Sequence, residues 1–179
     1  GRTLAGLAPP RLARFGAVLP VEGRGLVLTP AAVRAPQVQG DTLLLPAARA
    51  PGVAAAAFLR ALAQARLTAA SDRHAAALGR CYTAMALRDT RSRWGSCTDR
   101  GRLMYSWRLA MAPPEVLDYV AAHEVAHLAH MDHSPDFWAA VARLCPDYAA
   151  RRAWLREHGS ALHAWQFRPG PSEESGDEN

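Results

Sequence analysis

His123-Glu124-Val125-Ala126-His127 sets two imidazoles four positions apart, with a carboxylate directly after the first. On a helix over residues 119–129 the two histidines project from one face, one turn apart, close enough to share one metal ion. Glu124 lies on the next row, suited to reach a metal-bound water rather than the metal. A tetrahedral hydrolytic site takes three protein ligands and leaves the fourth position to water, so the pattern is that of a zinc hydrolase. His133, six residues past His127, is the candidate for the third ligand, because a helix ending near His130 can turn the chain back toward the site. His130 shares the face of His127, but a set running from His123 to His130 stretches over two turns. Its expected place is beside the ligands or at the surface.

The elements that must hold these residues are legible around them. Val120, Ala121, Ala122, Val125, Ala126, Leu128 and Ala129 surround the polar trio, which marks a buried helix whose polar groups need partners. Pro113-Pro114-Glu115 opens that helix, where missing N–H groups do no harm. Ser134-Pro135-Asp136 opens the next, with serine as cap and an acid near the positive end. Phe137, Trp138, Val141 and Leu144 then face the core, Pro146 interrupts, and residues 148–157 form a charged terminal helix. Upstream, residues 51–78 read as an alanine-rich helix with a core stripe of Phe58, Leu59, Leu62, Ala63 and Leu67, ended by Gly79. Residues 81–87 read as a strand, Asp99-Arg100-Gly101 as a turn and residues 103–109 as a returning strand, a hairpin-like layer. Between 15 and 45, short apolar runs between turn residues predict two or three strands at the edge of a small sheet.

These elements amount to one domain over residues 15–166, with a strand-rich edge at 15–50 and a core at 52–166. Residues 1–14, with Pro9-Pro10, read as a loosely ordered arm, and residues 167–179 as a disordered acidic tail. The 179 residues, half of them hydrophobic, suit a single substantial core. No apolar run reaches the roughly 18 residues that span a bilayer, and the start carries no signal-peptide pattern. Cys81, Cys97 and Cys145 are isolated and odd in number, so reduced thiols and a cytoplasmic location are expected. All 21 fixed positive charges are arginines, and the net charge is +5. That charge reads either as a composition bias toward alanine and arginine or as an affinity for phosphate-bearing partners, whose oxygens arginine forks match.

Several segments agree with one family. Arg93-Trp94-Gly95-Ser96-Cys97, Ser106-Trp107-Arg108-Leu109, Ala112-Pro113-Pro114, Leu117-Asp118-Tyr119-Val120, His123 to Leu128 and His133-Ser134-Pro135-Asp136-Phe137-Trp138 occur in this order. The array resembles the YgjP-like family of metal-dependent hydrolases, related to the SprT and WLM groups of zincin-like metallopeptidases. The likeness covers roughly residues 52–165. It implies an α+β zincin-like domain, with a small mixed sheet packed on an active-site helix and further helices around it. By position it implies His123, His127 and His133 as ligands to one Zn2+ per chain, and Glu124 as the catalytic acid. Many relatives carry Asn where this chain has Ser106. The step from His127 to His133 also occurs in metzincins, but His130 stands where those proteins have a turn glycine.

Zinc brings its bound water toward a pKa of about 7, and Glu124 accepts the proton as that water attacks. Peptide and nucleotide substrates both remain open at this point. A peptide carbonyl follows from the zincin relationship. A phosphoanhydride follows from the UTP pyrophosphatase label of some relatives and from the basic body. A DNA-associated protease like SprT is the third reading, and no oligomeric state is indicated. Arg91, Arg93 and Arg108 flank the site and are candidates to hold phosphates or an oxyanion, or else to form structural ion pairs. Tyr105 and Tyr119 are candidate donors to a transition-state oxygen. Trp94 and Trp107 are expected to pack in the core.

Overall fold

The computed structural model describes residues 8–168, and the helix Pro51–Leu78 (α1) is the element on which the rest is laid. Pro51 opens it at the first turn, and Gly79 closes it in the left-handed region at φ 74°. Ala55, Leu59, Ala63, Leu67 and Ala70 form its buried stripe. The alanines on that stripe let neighbouring backbone approach closely. One neighbour is a four-stranded sheet in the order β2-β3-β5-β4, from Val18–Val21 (β2), Arg24–Ala31 (β3), Gln37–Gln39 (β4) and Thr42–Pro46 (β5). Leu19, Val21, Leu26, Leu28, Leu43, Leu45 and Pro46 are its buried side chains. β2 and β3 are joined through Glu22 and Gly23, both at positive φ, the twist that a two-residue hairpin requires. The expected two or three edge strands are thus a sheet of their own, with β3 and β5 parallel and β4 folded back on β5.

A second sheet has the order β6-β8-β7, from Ala84–Arg88 (β6), Gly95–Cys97 (β7) and Arg102–Ser106 (β8). β7 and β8 form the antiparallel hairpin around Thr98 and Gly101, but β6 joins β8 in parallel. The expected layer of one strand returning on another is corrected accordingly: residues 89–94 carry the chain across to the far side of β8. The returning strand also stops three residues early. Ser106 accepts a hydrogen bond from the Arg108 N–H at 3.2 Å, and Trp107–Met111 wind into a 3₁₀ helix. β8 is central and buried, whereas β7 is an edge strand with no second strand partner among the described residues.

Pro114–Ala126 (α2) packs against α1, β7 and the later helices. Pro135–Leu144 (α3) begins at Ser134, whose hydroxyl accepts the Phe137 N–H at 3.2 Å. Tyr148–His163 (α4) runs longer than the charged segment in the sequence suggested. Trp165–Gln166 (β9) then pairs in parallel with Arg11–Leu12 (β1). The Ala13 N–H donates to the Gln166 carbonyl at 2.8 Å, and Ala13 is buried. Residues 8–14 are therefore not a loose arm, because backbone pairing fixes them to the end of the domain. Phe167 is likewise no part of a solvated tail: its ring meets Trp107 edge-on at 5.2 Å. Residues 1–7 and 169–179 lie outside the described residues.

Candidate metal centre

α2 carries His123 and Glu124 inward from its last turn, and His127 is its C-terminal cap. The helix ends there rather than at residue 129. Tight turns follow, with the Leu128 N–H on the Val125 carbonyl at 2.9 Å and the His130 N–H on the Ala126 carbonyl at 3.1 Å. This curl brings the His130 carbonyl to 3.0 Å from Nδ1 of His127. A carbonyl only accepts, so Nδ1 of His127 carries the proton and Nε2 is left with its lone pair free. His130 thus serves through its backbone. Nδ1 of His123 lies 3.3 Å from the Tyr119 hydroxyl, one turn back on the same face.

Met131 and Asp132 return the chain, and the Ser134 cap fixes His133 at the mouth of α3. Among the described residues, one ligand nitrogen from each of His123, His127 and His133 lies within 4.8 Å of the others. Phe137, fully buried, is their common floor. It stacks on His127 at 4.4 Å and 22°, and meets His123 and His133 at steep angles, each at 5.0 Å. Burial first, then the neighbouring His127 and His133, pushes the His123 pKa down to about 4. Burial also lowers that of His127. Both rings are thus held neutral, the form that donates to a metal. Nitrogen ligands from three imidazoles, with one tautomer already set by a backbone carbonyl, are a donor set that fits a metal ion.

Glu124 is 6% exposed, and burial raises its pKa to about 8 against the opposing charge of Arg93. β7 is the wall behind it. A Cβ on Gly95 would stand 2.9 Å from Cγ of Glu124 and 3.1 Å from the Met104 carbonyl, so only glycine lets strand and helix approach this closely. Glu124 and His123 line a cavity of about 320 Å³ with Trp94, Tyr119, Val120, Leu155 and three arginines, Arg93, Arg152 and Arg156. A larger groove of about 600 Å³ lies elsewhere on α2, between its start and α1. It is a seam of internal ion pairs, including Arg66 with Glu22 at 2.7 Å and Arg73 with Asp118, and it contains none of the three histidines.

The other residues singled out in the sequence separate into two groups. Arg93 and Tyr119 are at the cavity. Arg108 is not: it is 3% exposed, forked onto Asp89 at 2.7 and 3.3 Å, and bonded to the carbonyls of Leu162 and Trp165, both at 2.8 Å. It clamps the end of α4, which is the ion-pairing alternative. Arg91 reaches the His163 carbonyl at 3.3 Å on the outer side. Tyr105 is fully buried with its hydroxyl 2.9 Å from that of Ser71, so its bonding capacity is spent in the core. Trp94, expected in the core, is only half-buried. It stacks on His163 at 4.3 Å and lines the cavity. Arg152 and Arg156 went unnoticed in the sequence. Their spacing of four on a charged helix was the available signal, but nothing local says what that helix faces.

No curated protein is similar to the chain at a significant level. Among solved structures, the crystal structure of the metallopeptidase zymogen of Pyrococcus abyssi, abylysin, matches with a TM-score of 0.45 and 19% identity. That match covers 50% of this chain and 93% of that one. The family model described as YgjP-like, metallopeptidase domain, matches residues 41–158. That span holds α1, the β6-β8-β7 sheet, α2, the three converging imidazoles, α3 and most of α4, and the chain belongs to the YgjP-like metallopeptidase family.

Proposed function

We propose that this protein is a zinc-dependent hydrolase acting on peptide bonds, with one zinc per chain held by His123, His127 and His133. The observation that carries this reading is the convergence of three imidazole nitrogens within 4.8 Å beside a buried carboxylate. When bound, zinc supplies Lewis acidity, so that a water molecule attacks near neutral pH. The protein's own groups do the rest. Nδ1 of His127, held by the His130 carbonyl, keeps its ring oriented. With the charge of the metal offsetting the burial that raises its pKa, Glu124 would take the proton of the attacking water and return it to the leaving amine, so the carboxylate ends each cycle as it began. Its enclosure between α2 and Gly95 keeps it aimed along one direction.

A peptide is favoured over a nucleotide by the edge strand β7. Gly95 of that strand lies against Glu124, one side of β7 has no strand partner among the described residues, and an unpaired extended strand is a ready partner for extended peptide backbone. A triphosphate arrives with its own divalent cation, which is held by carboxylates, and the cavity wall offers only Glu124. The test is Glu124→Gln in the zinc-loaded protein, assayed with a peptide library read by mass spectrometry. Metal content should stay the same while turnover falls by roughly 10³-fold or more. Undiminished turnover removes Glu124 from the chemistry and the mechanism with it.

A further inference from the structure

Resting on that reading, we propose that the cavity beside the histidines is a specificity pocket for a carboxylate carried by the peptide next to its scissile bond. Arg93, Arg152 and Arg156 are the groups that would recognise it.

Three facts converge on this assignment. First, the cavity is shared with the site itself, because His123 and Glu124 form part of its wall. A group bound in it is therefore attached close to the reacting bond. Its volume of about 320 Å³ suits one or two residues.

Second, its three arginines have no acid of their own. Four arginines elsewhere in the fold do have one: Arg66 pairs with Glu22, Arg73 with Asp118, Arg108 with Asp89 and Arg151 with Asp147. Among the described residues no carboxylate makes an ion pair with Arg93, Arg152 or Arg156, and Glu124 is the sole acid lining the cavity. Arg152 and Arg156 are four apart on α4, a spacing at which like charges repel. An anion between them and Arg93 relieves that repulsion, and guanidinium forks match a carboxylate in geometry as well as charge.

Third, Arg152 and the backbone that carries Arg93 are held in place. The Arg152 guanidinium lies over the Trp138 ring at 5.0 Å, and Trp138 itself packs 5.6 Å from His123 and 6.0 Å from His133. Arg93 is carried by a segment whose backbone is tied at both ends. Its own carbonyl accepts from the Thr90 hydroxyl at 2.7 Å, and the next carbonyl, of Trp94, accepts from the Ser106 N–H at 2.9 Å. Tyr119, Val120, Leu155 and Trp94 give the pocket an apolar floor for the methylenes of Glu or Asp.

The carboxylate has two sources, an acidic side chain or the peptide's own C-terminus, and the experiment separates them. Zinc-loaded full-length protein is given three peptide sets: capped peptides with internal Asp or Glu, the same peptides with Asn or Gln, and acid-free peptides with a free C-terminus. Cleavage beside Asp or Glu should exceed cleavage beside the amide by roughly 10- to 100-fold in kcat/KM, the range of a charge-assisted contact. Preference for the free C-terminus instead would still assign the carboxylate, as an exopeptidase. Arg156→Glu, and separately Arg152→Glu, should turn the preference toward Lys while zinc content stays at the wild-type level. Peptide cleavage indifferent to charge, or a preference unmoved by both reversals, overturns the pocket but leaves the peptidase standing. Hydrolysis of nucleoside triphosphates with no peptide cleaved overturns the peptidase reading itself.

Discussion

Gly95 and Glu124 touch without room for one further carbon: a Cβ on the glycine would lie 2.9 Å from Cγ and 3.0 Å from Oε2 of the carboxylate. The edge strand therefore sets the rotamer of the catalytic candidate. Gly95→Ala should push the carboxylate off line, at a cost of about 1–3 kcal/mol in packing. A displacement of that kind should lower kcat by roughly 10- to 100-fold. Zinc stoichiometry should not change, since no ligand is touched. Paired metal analysis and kinetics check this, and loss of metal with loss of activity would contradict it.

His130 offers a sharper separation of side chain from backbone. Its carbonyl, not its ring, holds Nδ1 of His127. His130→Ala should thus retain zinc and close to full turnover, while His127→Ala should lose the metal. Zinc release from the His130 variant would show that the ring is a ligand after all.

Phe137 touches all three imidazoles and is fully buried, so it couples the site to the core. Phe137→Ala should destabilise the fold by about 3–5 kcal/mol. Phe137→Leu should recover most of that stability but bind zinc more weakly, because the volume returns and the flat floor under His127 does not. Thermal melts and a competitive chelator titration measure the two effects separately.

Asp118 gives the fold a pH dependence that can be located. It accepts from Arg73 and lies 3.1 Å from Nε2 of His74, joining α2 to α1. Burial alone would raise its pKa; the hydrogen bond and charge of His74, with the charge of Arg73, outweigh burial and hold the pKa below the ordinary carboxylate value. The folded pKa thus lies under the unfolded one. The contribution is full above the unfolded value of about 4 and is lost as pH falls through the folded value. Asp118→Asn should lower Tm near neutrality by the equivalent of about 1–2 kcal/mol. The gap between wild type and variant should close in acid, and melts from about pH 3 to about pH 7 follow it. A gap that widens on acidification contradicts the assignment.

What the sequence made legible was local. The His-Glu-x-x-His spacing, Pro114 and Pro51 at first turns, Gly79 at a left-handed cap and Ser134 at an N-cap each act within one turn of their own position. His133 belongs here too, since only a short turn separates it from α2. The features that were missed depend on partners far along the chain. β6 joins β8 across an intervening strand, and Arg11 pairs with Trp165. No periodicity encodes either choice. Arg108 and Tyr105 looked like site residues by proximity in sequence, yet Asp89 with two carbonyls claims the one and Ser71 the other. Arg152 and Arg156 reach the cavity only because α4 packs against α2.

The central claim is that three histidines, and His133 among them, hold one zinc. Mass-spectrometric metal stoichiometry of the wild type beside His133→Ala tests it directly. About one zinc per chain in the wild type, sharply reduced in the variant, is the expected result. Full occupancy in His133→Ala, or a wild type that takes up no zinc, would contradict it.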